Sequence, residues 1–118
     1  MNIIEKQTSD NCFKYNIALE ENNYHAYVAI EHYRDEIWVD LLYVSAIYRR
    51  KGYATALMNK VISIADQLKR NSRLVIATDG PLTTETLAAF YSRFGFKPTI
   101  DHGVSGEMFR ICQPVNSG

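Results

Sequence analysis

The sequence contains only two cysteines and no excess of charge of either sign. Cys12 and Cys112 stand near opposite ends, with no CxxC pair and no Cys/His spacing typical of zinc, so we expect no metal site. The 13 Lys and Arg residues balance 13 Asp and Glu residues. Without a basic field, broad binding to nucleic acid or to an anionic membrane is not expected. Any bound anion must therefore be held by a local cluster of cations.

Long apolar runs are also missing. No stretch approaches the roughly 20 residues that a membrane-spanning helix requires, and the opening MNIIEKQTSD is too polar for an export signal. We therefore expect a cytoplasmic protein with reduced cysteines, although a disulfide stays an alternative. A length of 118 residues fits a single domain, residues 1–118. The length does not distinguish between a monomer and a homodimer.

Short apolar segments predict strands at 12–20, 24–32, 36–44, 73–78 and 106–113, and the first of them shows a clear period of two. The first two are expected to form a hairpin. Residues 36–44 are so continuously apolar that we expect them to be buried on both faces, at the centre of the sheet.

A helical spacing of apolar residues predicts a helix that begins at Gly52 or Tyr53 and runs for about four to five turns. Lys69 and Arg70 are expected in its last turn, where cations suit the negative helix end. Because the helix stands between two strands, a right-handed parallel crossover is expected.

A second helix is predicted to begin near Thr83 or Thr84, either of which suits the N-cap. Gly95 is expected to end it in a left-handed conformation, with Phe96 folding back as the hydrophobic partner. The succession of elements predicts a mixed α/β fold with one antiparallel half.

Residues 48–55, YRRKGYAT, form the only dense cationic cluster of the chain. If the first helix begins there, its unpaired amides and positive end face outward, and the small Gly52 and Ala54 allow a ligand close to the backbone. These features predict a phosphate-binding helix N-terminus. The alternative is a solvated turn that merely enters a helix. No GxGxxG or GxxxxGK[ST] motif occurs, so dinucleotide redox chemistry and triphosphate hydrolysis are not expected.

Two motifs in this order resemble the GCN5-related N-acetyltransferases. Arg49-x-x-Gly52-x-Ala54, after a strand ending at Val44, is similar to the family's motif A, and residues 89–96, AFYSRFGF, are similar to its "FY, three residues, GF" helix end. The resemblance covers roughly residues 24–112. It implies a centrally splayed sheet, a long helix after the central strand and a second helix near the C-terminus.

The resemblance also implies an acetyl-coenzyme A site and no metal. In this family the pyrophosphate lies on the amides of the motif A turn. The pantetheine arm pairs with the preceding strand, in a V where that strand and the next one splay apart. Many members carry an asparagine, which contacts this arm, at the place of Thr84. The coenzyme-binding residues implied here are Tyr43, Val44, Arg49, Arg50, Lys51, Gly52, Tyr53, Ala54, Thr55 and Thr84.

Acyl transfer from a thioester needs a base for the amine, a donor for the oxyanion and an acid for the leaving thiolate. Tyr91 matches the family tyrosine that often acts as the acid, although the apolar stripe around it is equally typical of core. Asp40 lies on the strand that often carries the base, although a carboxylate hydrogen-bonded to a neighbour is the alternative. The Val44 amide is the natural oxyanion donor if a bulge frees it. The weaker candidates for the base are His25, His32 and His102.

Two features depart from the family pattern. About seven polar residues separate Ile3-Ile4 from Cys12, where family members usually carry one or two helices, so the acceptor side is expected to be open. Arg50 replaces a frequent glycine, which suits the turn only if position 50 needs no positive φ.

Two hypotheses follow. The chain is an N-acetyltransferase that modifies a primary amine, on a protein lysine or N-terminus, or it is a non-catalytic acetyl-coenzyme A-binding protein that regulates a partner. The short chain also resembles small acetyltransferases that some phages deploy against host defences.

Overall fold

Alternating apolar side chains assemble one mixed β-sheet. The computed structural model of the chain describes residues 3–17, 26–44, 50–76, 82–99 and 106–115. Within them lie seven strands and two helices: β1 (Ile3–Ser9), β2 (Cys12–Ile17), β3 (Ala26–Tyr33), β4 (Glu36–Val44), α1 (Tyr53–Leu68), β5 (Asn71–Val75), α2 (Thr84–Ser92), β6 (Lys97–Pro98) and β7 (Glu107–Arg110).

The sheet order is β1-β2-β3-β4-β5-β7-β6, and only the β4–β5 pair is parallel. The predicted mixed fold is therefore confirmed, and so are the β2–β3 hairpin and the parallel connection through α1. The hairpin turn lies outside the described residues. Strand β5 begins at Asn71, two residues earlier than predicted, because Asn71 already pairs with Glu36 of β4.

A tight turn at residues 10–11 joins β1 to β2. Because residues 3–17 are continuously described, no helix stands between these two strands. The first strand lies flat against the second as an antiparallel pair, with Ile3 opposite Ile17. The short connection expected from the sequence is thus present at the edge of the sheet.

Helix α1 packs one apolar stripe on the sheet, as its spacing predicts. Leu57, Met58, Val61 and Ala65 are fully buried, and each large apolar side chain of this kind contributes about 1.5–3 kcal/mol. The helix ends before the cations expected in its last turn. Lys69 is the C-cap at φ 56°, and Arg70 follows it, because their amides turn back to the carbonyls of Asp66 and Ala65.

Helix α2 begins and ends as its capping residues predict. Thr83 is the N-cap, and its hydroxyl accepts a hydrogen bond from the Thr86 amide at 3.1 Å, so Thr84 is the first helical residue. Gly95 stands at φ 96° after the helix, and Phe96 folds back to 1% exposure. This end brings the aromatic side chains of α2 against the core.

The two faces of the sheet differ in burial. Among the described strand residues, all fully buried hydrophobic side chains lie on the face that packs against α1. Apart from Asn16, which is only 3% exposed, the alternate positions are exposed or half-buried, as for Leu41 at 45%, Tyr43 at 44% and Val75 at 49% exposure. The sheet therefore has one core face and one open face.

Strand β4 is central in the sheet, but the prediction that both its faces are buried is wrong for its second half. Ile30 pairs with Val39 and Ala29 pairs with Leu41, so Asp40 is an extra residue that forms a β-bulge. The bulge shifts the side-chain alternation by one position. Val39 faces the core before the bulge and Leu42 does so after it, while Leu41 turns to the open face.

The same half of β4 also loses its second neighbour. Pairing with β5 runs only from Glu36 to Val39, opposite Asn71 to Leu74. Beyond that point the ladder between the two parallel strands stops. The splayed sheet implied by the family resemblance is present, and it opens a cleft at the C-terminal ends of β4 and β5.

Candidate active site

The N-terminus of α1 follows the C-terminal end of β4. Gly52 is its N-cap, at φ 79°, and has no side chain to accept a hydrogen bond from the first amides. Helix geometry leaves the amides of Ala54 and Thr55 without an acceptor inside the helix. A Cβ added at Gly52 would meet no atom within 4 Å. The backbone is therefore open to a ligand on this side, and the residues fit the diphosphate of a coenzyme.

The turn before α1 has a backbone conformation at position 50 that differs from the one expected from the sequence. Arg50 has φ 65°, so position 50 does adopt the left-handed conformation that glycine favours. For an arginine this costs about 1–2 kcal/mol. Arginine was expected to suit the turn only if position 50 needed no positive φ, and this condition is not met. The turn has a left-handed residue at position 50, and the backbone of the arginine is strained as a result. Arg50 and Lys51 are exposed, and Arg49 lies outside the described residues.

The end of β4 presents Tyr43 on the open face, with its ring 5.4 Å from that of Tyr27. Val44 stays in register with Ala26, and the bulge of this strand lies at Asp40. Val44 was assigned as the oxyanion donor on the condition that a bulge frees its amide. The bulge of this strand lies at Asp40 instead, so this condition is not met.

A cleft of about 100 Å³ lies where β4 and β5 separate. Its lining comes from both strands and from α2: Val39, Asp40, Leu41, Leu42, Leu74, Val75, Leu87 and Tyr91. Both side chains predicted to carry the chemistry, Asp40 and Tyr91, thus belong to one cleft. Apolar walls surround them, and in such surroundings electrostatic effects on a reaction are strong.

Tyr91 combines the two roles that the sequence left open. Its ring packs edge-on against Phe90 at 5.3 Å and Phe96 at 6.2 Å between centroids, as a core residue does. Its hydroxyl makes no hydrogen bond within the described residues. Burial raises the pKa of this phenol above its ordinary value of 10.0. The side chain is therefore a protonated acid at neutral pH.

Asp40 is an exposed residue at the mouth of the cleft. Burial by the cleft walls, and secondarily the charge of Glu31, raise the pKa of its carboxyl group above the usual 3.8. Asp40 accepts no hydrogen bond from the described residues, so the alternative of a neighbour-bonded carboxylate is not supported within them.

The remaining candidates lie apart from the cleft. Thr84 is the half-buried first residue of α2 and does not line the cleft. His32 pairs with Ile37, near the start of β4, and its Nδ1 lies 3.3 Å from Nη1 of Arg70. It is thus far from the bulge. His25 and His102 lie outside the described residues.

Glu31 was missed by the sequence analysis. In the sequence it is one charged residue in an alternating strand, and its relation to Asp40 depends on the bulge, which no local pattern announces. Within the described part of the chain, no group of His, Cys, Asp and Glu side chains could hold a metal ion. Neither described helix is both long enough and apolar enough to cross a membrane.

Comparison with known proteins identifies a family. The model of the acetyltransferase (GNAT) domain matches residues 11–98. No sequence among the curated proteins matches significantly.

Solved structures share the fold at low sequence identity. The PaiA N-acetyltransferase of Thermoplasma acidophilum, in complex with coenzyme A, is 15% identical with a TM-score of 0.68, and covers 86% of this chain. The present chain spans only 61% of that protein. The ribosomal-protein-S18-alanine N-acetyltransferase of Escherichia coli is 14% identical with a TM-score of 0.71, over 93% of this chain and 75% of its own. The anti-CRISPR protein AcrVA5 is 20% identical with a TM-score of 0.69, over 84% of this chain and 97% of its own.

Proposed function

Because the chain belongs to the acetyltransferase (GNAT) domain family, we propose that it transfers an acetyl group from acetyl-coenzyme A to a primary amine. The observation that carries this proposal is the joint presence of Asp40 and Tyr91 in one cleft, beside a helix N-terminus with an open backbone. An acid and a base that line one cleft suit a reaction that moves one proton from nitrogen and one to sulfur.

The coenzyme is proposed to bind along the splayed strands. The first-turn amides of α1, with the charges of Arg50 and Lys51, receive the diphosphate. The pantetheine arm lies along Tyr43 and Val44 and leads the thioester into the cleft. A similar structure, that of the Thermoplasma enzyme, holds coenzyme A, which supports this class of ligand.

The proton transfers of the chemical step balance with Asp40, Tyr91 and the two substrates. The amine nitrogen attacks the thioester carbon, an N–C bond forms, and the carbonyl electron pair moves to oxygen. When that pair returns, the C–S bond breaks and its electrons leave with sulfur. Asp40 takes the proton that nitrogen loses, and the phenol of Tyr91 gives its proton to sulfur. Solvent then returns a proton to Tyr91 and removes one from Asp40.

The acceptor is proposed to be the amine of a protein, a lysine side chain or an N-terminus. No helix stands between β1 and β2, and the open face of the sheet leads to the cleft mouth at Leu41 and Asp40. A broad, open approach suits a large acceptor better than a small metabolite, which needs a pocket to enclose it.

Replacement of Tyr91 by phenylalanine tests the role of the acid. Loss of a general acid should lower kcat by about 10²-fold or more, while the affinity for coenzyme A stays nearly unchanged because the ring remains. Transfer of labelled acetyl groups to the proteins of a cell lysate, read by mass spectrometry, identifies an acceptor for the assay. Tyr33→Phe, at the exposed far end of β3, is the matched control. An unaltered rate in Tyr91→Phe would refute the assignment.

A second candidate is a non-catalytic protein that binds acetyl-coenzyme A and a partner. The direct β1–β2 connection favours it, because the helices that usually shape an acceptor pocket are absent from this connection. Both candidates predict that acetyl-coenzyme A at 100 times its Kd stabilises the fold by about 2.7 kcal/mol. Gly52→Glu should abolish this stabilisation, and Asn59→Glu, exposed further along α1, should retain it. Only the transferase predicts loss of turnover in Tyr91→Phe and Asp40→Asn.

A further inference from the structure

A second carboxylate acts on Asp40 from the neighbouring strand. Glu31 of β3 stands opposite Trp38 of β4, and the next pair, Ile30 with Val39, directly precedes the bulge at Asp40. The bulge therefore places Asp40 diagonally beyond this pair, within reach of the Glu31 charge. Glu31 itself is half-buried, and it has no ion pair or hydrogen bond within the described residues.

The cations on the adjoining strands are engaged elsewhere. Nζ of Lys14, on β2, lies 3.8 Å from the centre of the Tyr27 ring. Arg73, on β5, donates from Nε to both carboxylate oxygens of Glu36 at 2.9 Å, and its guanidinium lies 4.5 Å from the Phe109 ring.

The third wall of the cleft contributes no charge either. Helix α2 presents Tyr91, a neutral phenol with a pKa raised by burial. The described charged groups of β2 and β5 thus have partners of their own, and the unpaired carboxylate near Asp40 is Glu31. A like charge nearby disfavours the ionised form of a carboxyl group, so the Glu31 charge makes Asp40, which lines the cleft, a stronger base.

We propose that Glu31 is a positioning residue of the transfer reaction, which acts through Asp40 and strengthens its hold on the proton that leaves the acceptor amine. The inference rests on the proposed transferase function. It adds a residue from β3 to a reaction otherwise assigned to β4 and α2. Glu31 contacts neither substrate in this account, so its removal should change how the rate depends on pH more than it changes binding.

The test compares the pH profile of kcat/KM in the wild-type protein with that of Glu31→Gln. The acid limb should move to lower pH, and the plateau should fall roughly two- to threefold because a weaker base accepts the proton. Glu31→Asp, which keeps the charge, should restore the wild-type limb. Glu36→Gln is the matched control, since this carboxylate of the same sheet is already paired with Arg73, and it should leave the limb in place.

A double variant shows whether Glu31 works through Asp40. In an Asp40→Asn background, Glu31→Gln should cause no further change in the profile, because the group on which its charge acts is gone. A limb that stays in place in Glu31→Gln, while the wild-type protein transfers acetyl groups, overturns the inference and leaves the transferase function intact.

A direct titration separates the two proposals. The carboxyl carbon-13 signal of Asp40, followed by NMR in the protein without substrates, should titrate at lower pH in Glu31→Gln than in the wild-type protein. A wild-type protein that acetylates no acceptor refutes the proposed function, and with it the role of Glu31 in catalysis. An unchanged Asp40 titration in Glu31→Gln refutes the link between the two carboxylates, whatever the activity.

Discussion

The side chain of Arg110 is only 4% exposed, and it joins both helices to the last strand of the sheet. Its two terminal nitrogens donate to the carboxylate of Asp66 on α1 at 2.8 and 3.0 Å. Its Nε donates to the Phe94 carbonyl just after α2 at 2.7 Å. Asp66 also accepts from the Gln113 amide at 2.8 Å. This buried ion pair is the place where one substitution should do most damage to the fold.

We expect Asp66→Ala to destabilise the fold by about 3–5 kcal/mol, since it leaves a buried guanidinium without its counter-charge. A chain of this length has a stability of roughly 6–18 kcal/mol, so the loss is a large fraction of the total. At an intermediate domain size the melting temperature should fall by roughly 10–20 °C. Because Arg110 also holds the carbonyl that follows α2, the helix that carries Tyr91 should loosen, and turnover should fall with stability.

Urea unfolding followed by circular dichroism measures the change, with Gln67→Ala, exposed on the same helix, as a control within about 0.5 kcal/mol. The double variant Asp66→Ala, Arg110→Met should be more stable than Asp66→Ala alone, because it removes the unpaired charge. A cost of less than 1 kcal/mol in the single variant, or a double variant less stable than the single one, would refute this account.

The same pair sets a pH dependence. The hydrogen bonds from Arg110, chiefly, hold the pKa of Asp66 below its usual 3.8. A carboxyl group with a pKa lowered by folding contributes stability above its ordinary pKa and loses it as the pH falls through the folded value. The gap between the wild-type protein and Asp66→Ala should therefore narrow below about pH 4.

Three further substitutions test other parts of the fold. Burial, and then the charge of Arg70, lower the pKa of His32 below 6.5. The stability that neutral His32 contributes is therefore present above that pH and lost as the pH falls below it. In the wild-type protein the urea midpoint should fall between pH 7.5 and pH 5.5, and His32→Gln should make this fall smaller. Thr83→Ala removes the N-cap of α2 and should cost about 1 kcal/mol in thermal unfolding. Gly95→Ala should cost about 1–2 kcal/mol, because φ is 96° and the new Cβ would lie 3.4 Å from Nε of Arg110; a neutral result would contradict the strain.

Local patterns sufficed for most elements of the fold. The α1 stripe, the Thr83 cap and the Gly95 stop are set within a few residues, so the sequence locates them almost to the residue. Helix α1 ends earlier than predicted, because Lys69 adopts a left-handed conformation that helix propensity does not predict. Strand β6 was not predicted, because two residues form it only by pairing with β7.

Some features of the candidate site could likewise be predicted from the sequence, and others could not. The glycine and cations before α1, and the tyrosine of α2, belong to motifs that a sequence shows directly. The exposure of Leu41 and the effect of Glu31 on Asp40 cannot be predicted from the sequence, because both follow from one unpaired residue in β4. A strand that reads as continuously apolar is equally consistent with two buried faces and with a bulge that exchanges them.

The bulge at Asp40 also sets which changes of length the gene could tolerate. Deleting residue 40 would restore regular pairing along β4, because Val39 would be followed directly by Leu41, which already lies opposite Ala29. Leu42 and Val44 would stay on the core face, and Tyr43 would stay on the open face. A deletion at this position therefore removes the proposed proton acceptor and leaves the packing of the strand in place. Among close homologues, we expect position 40 to be missing only in proteins that do not need this carboxylate.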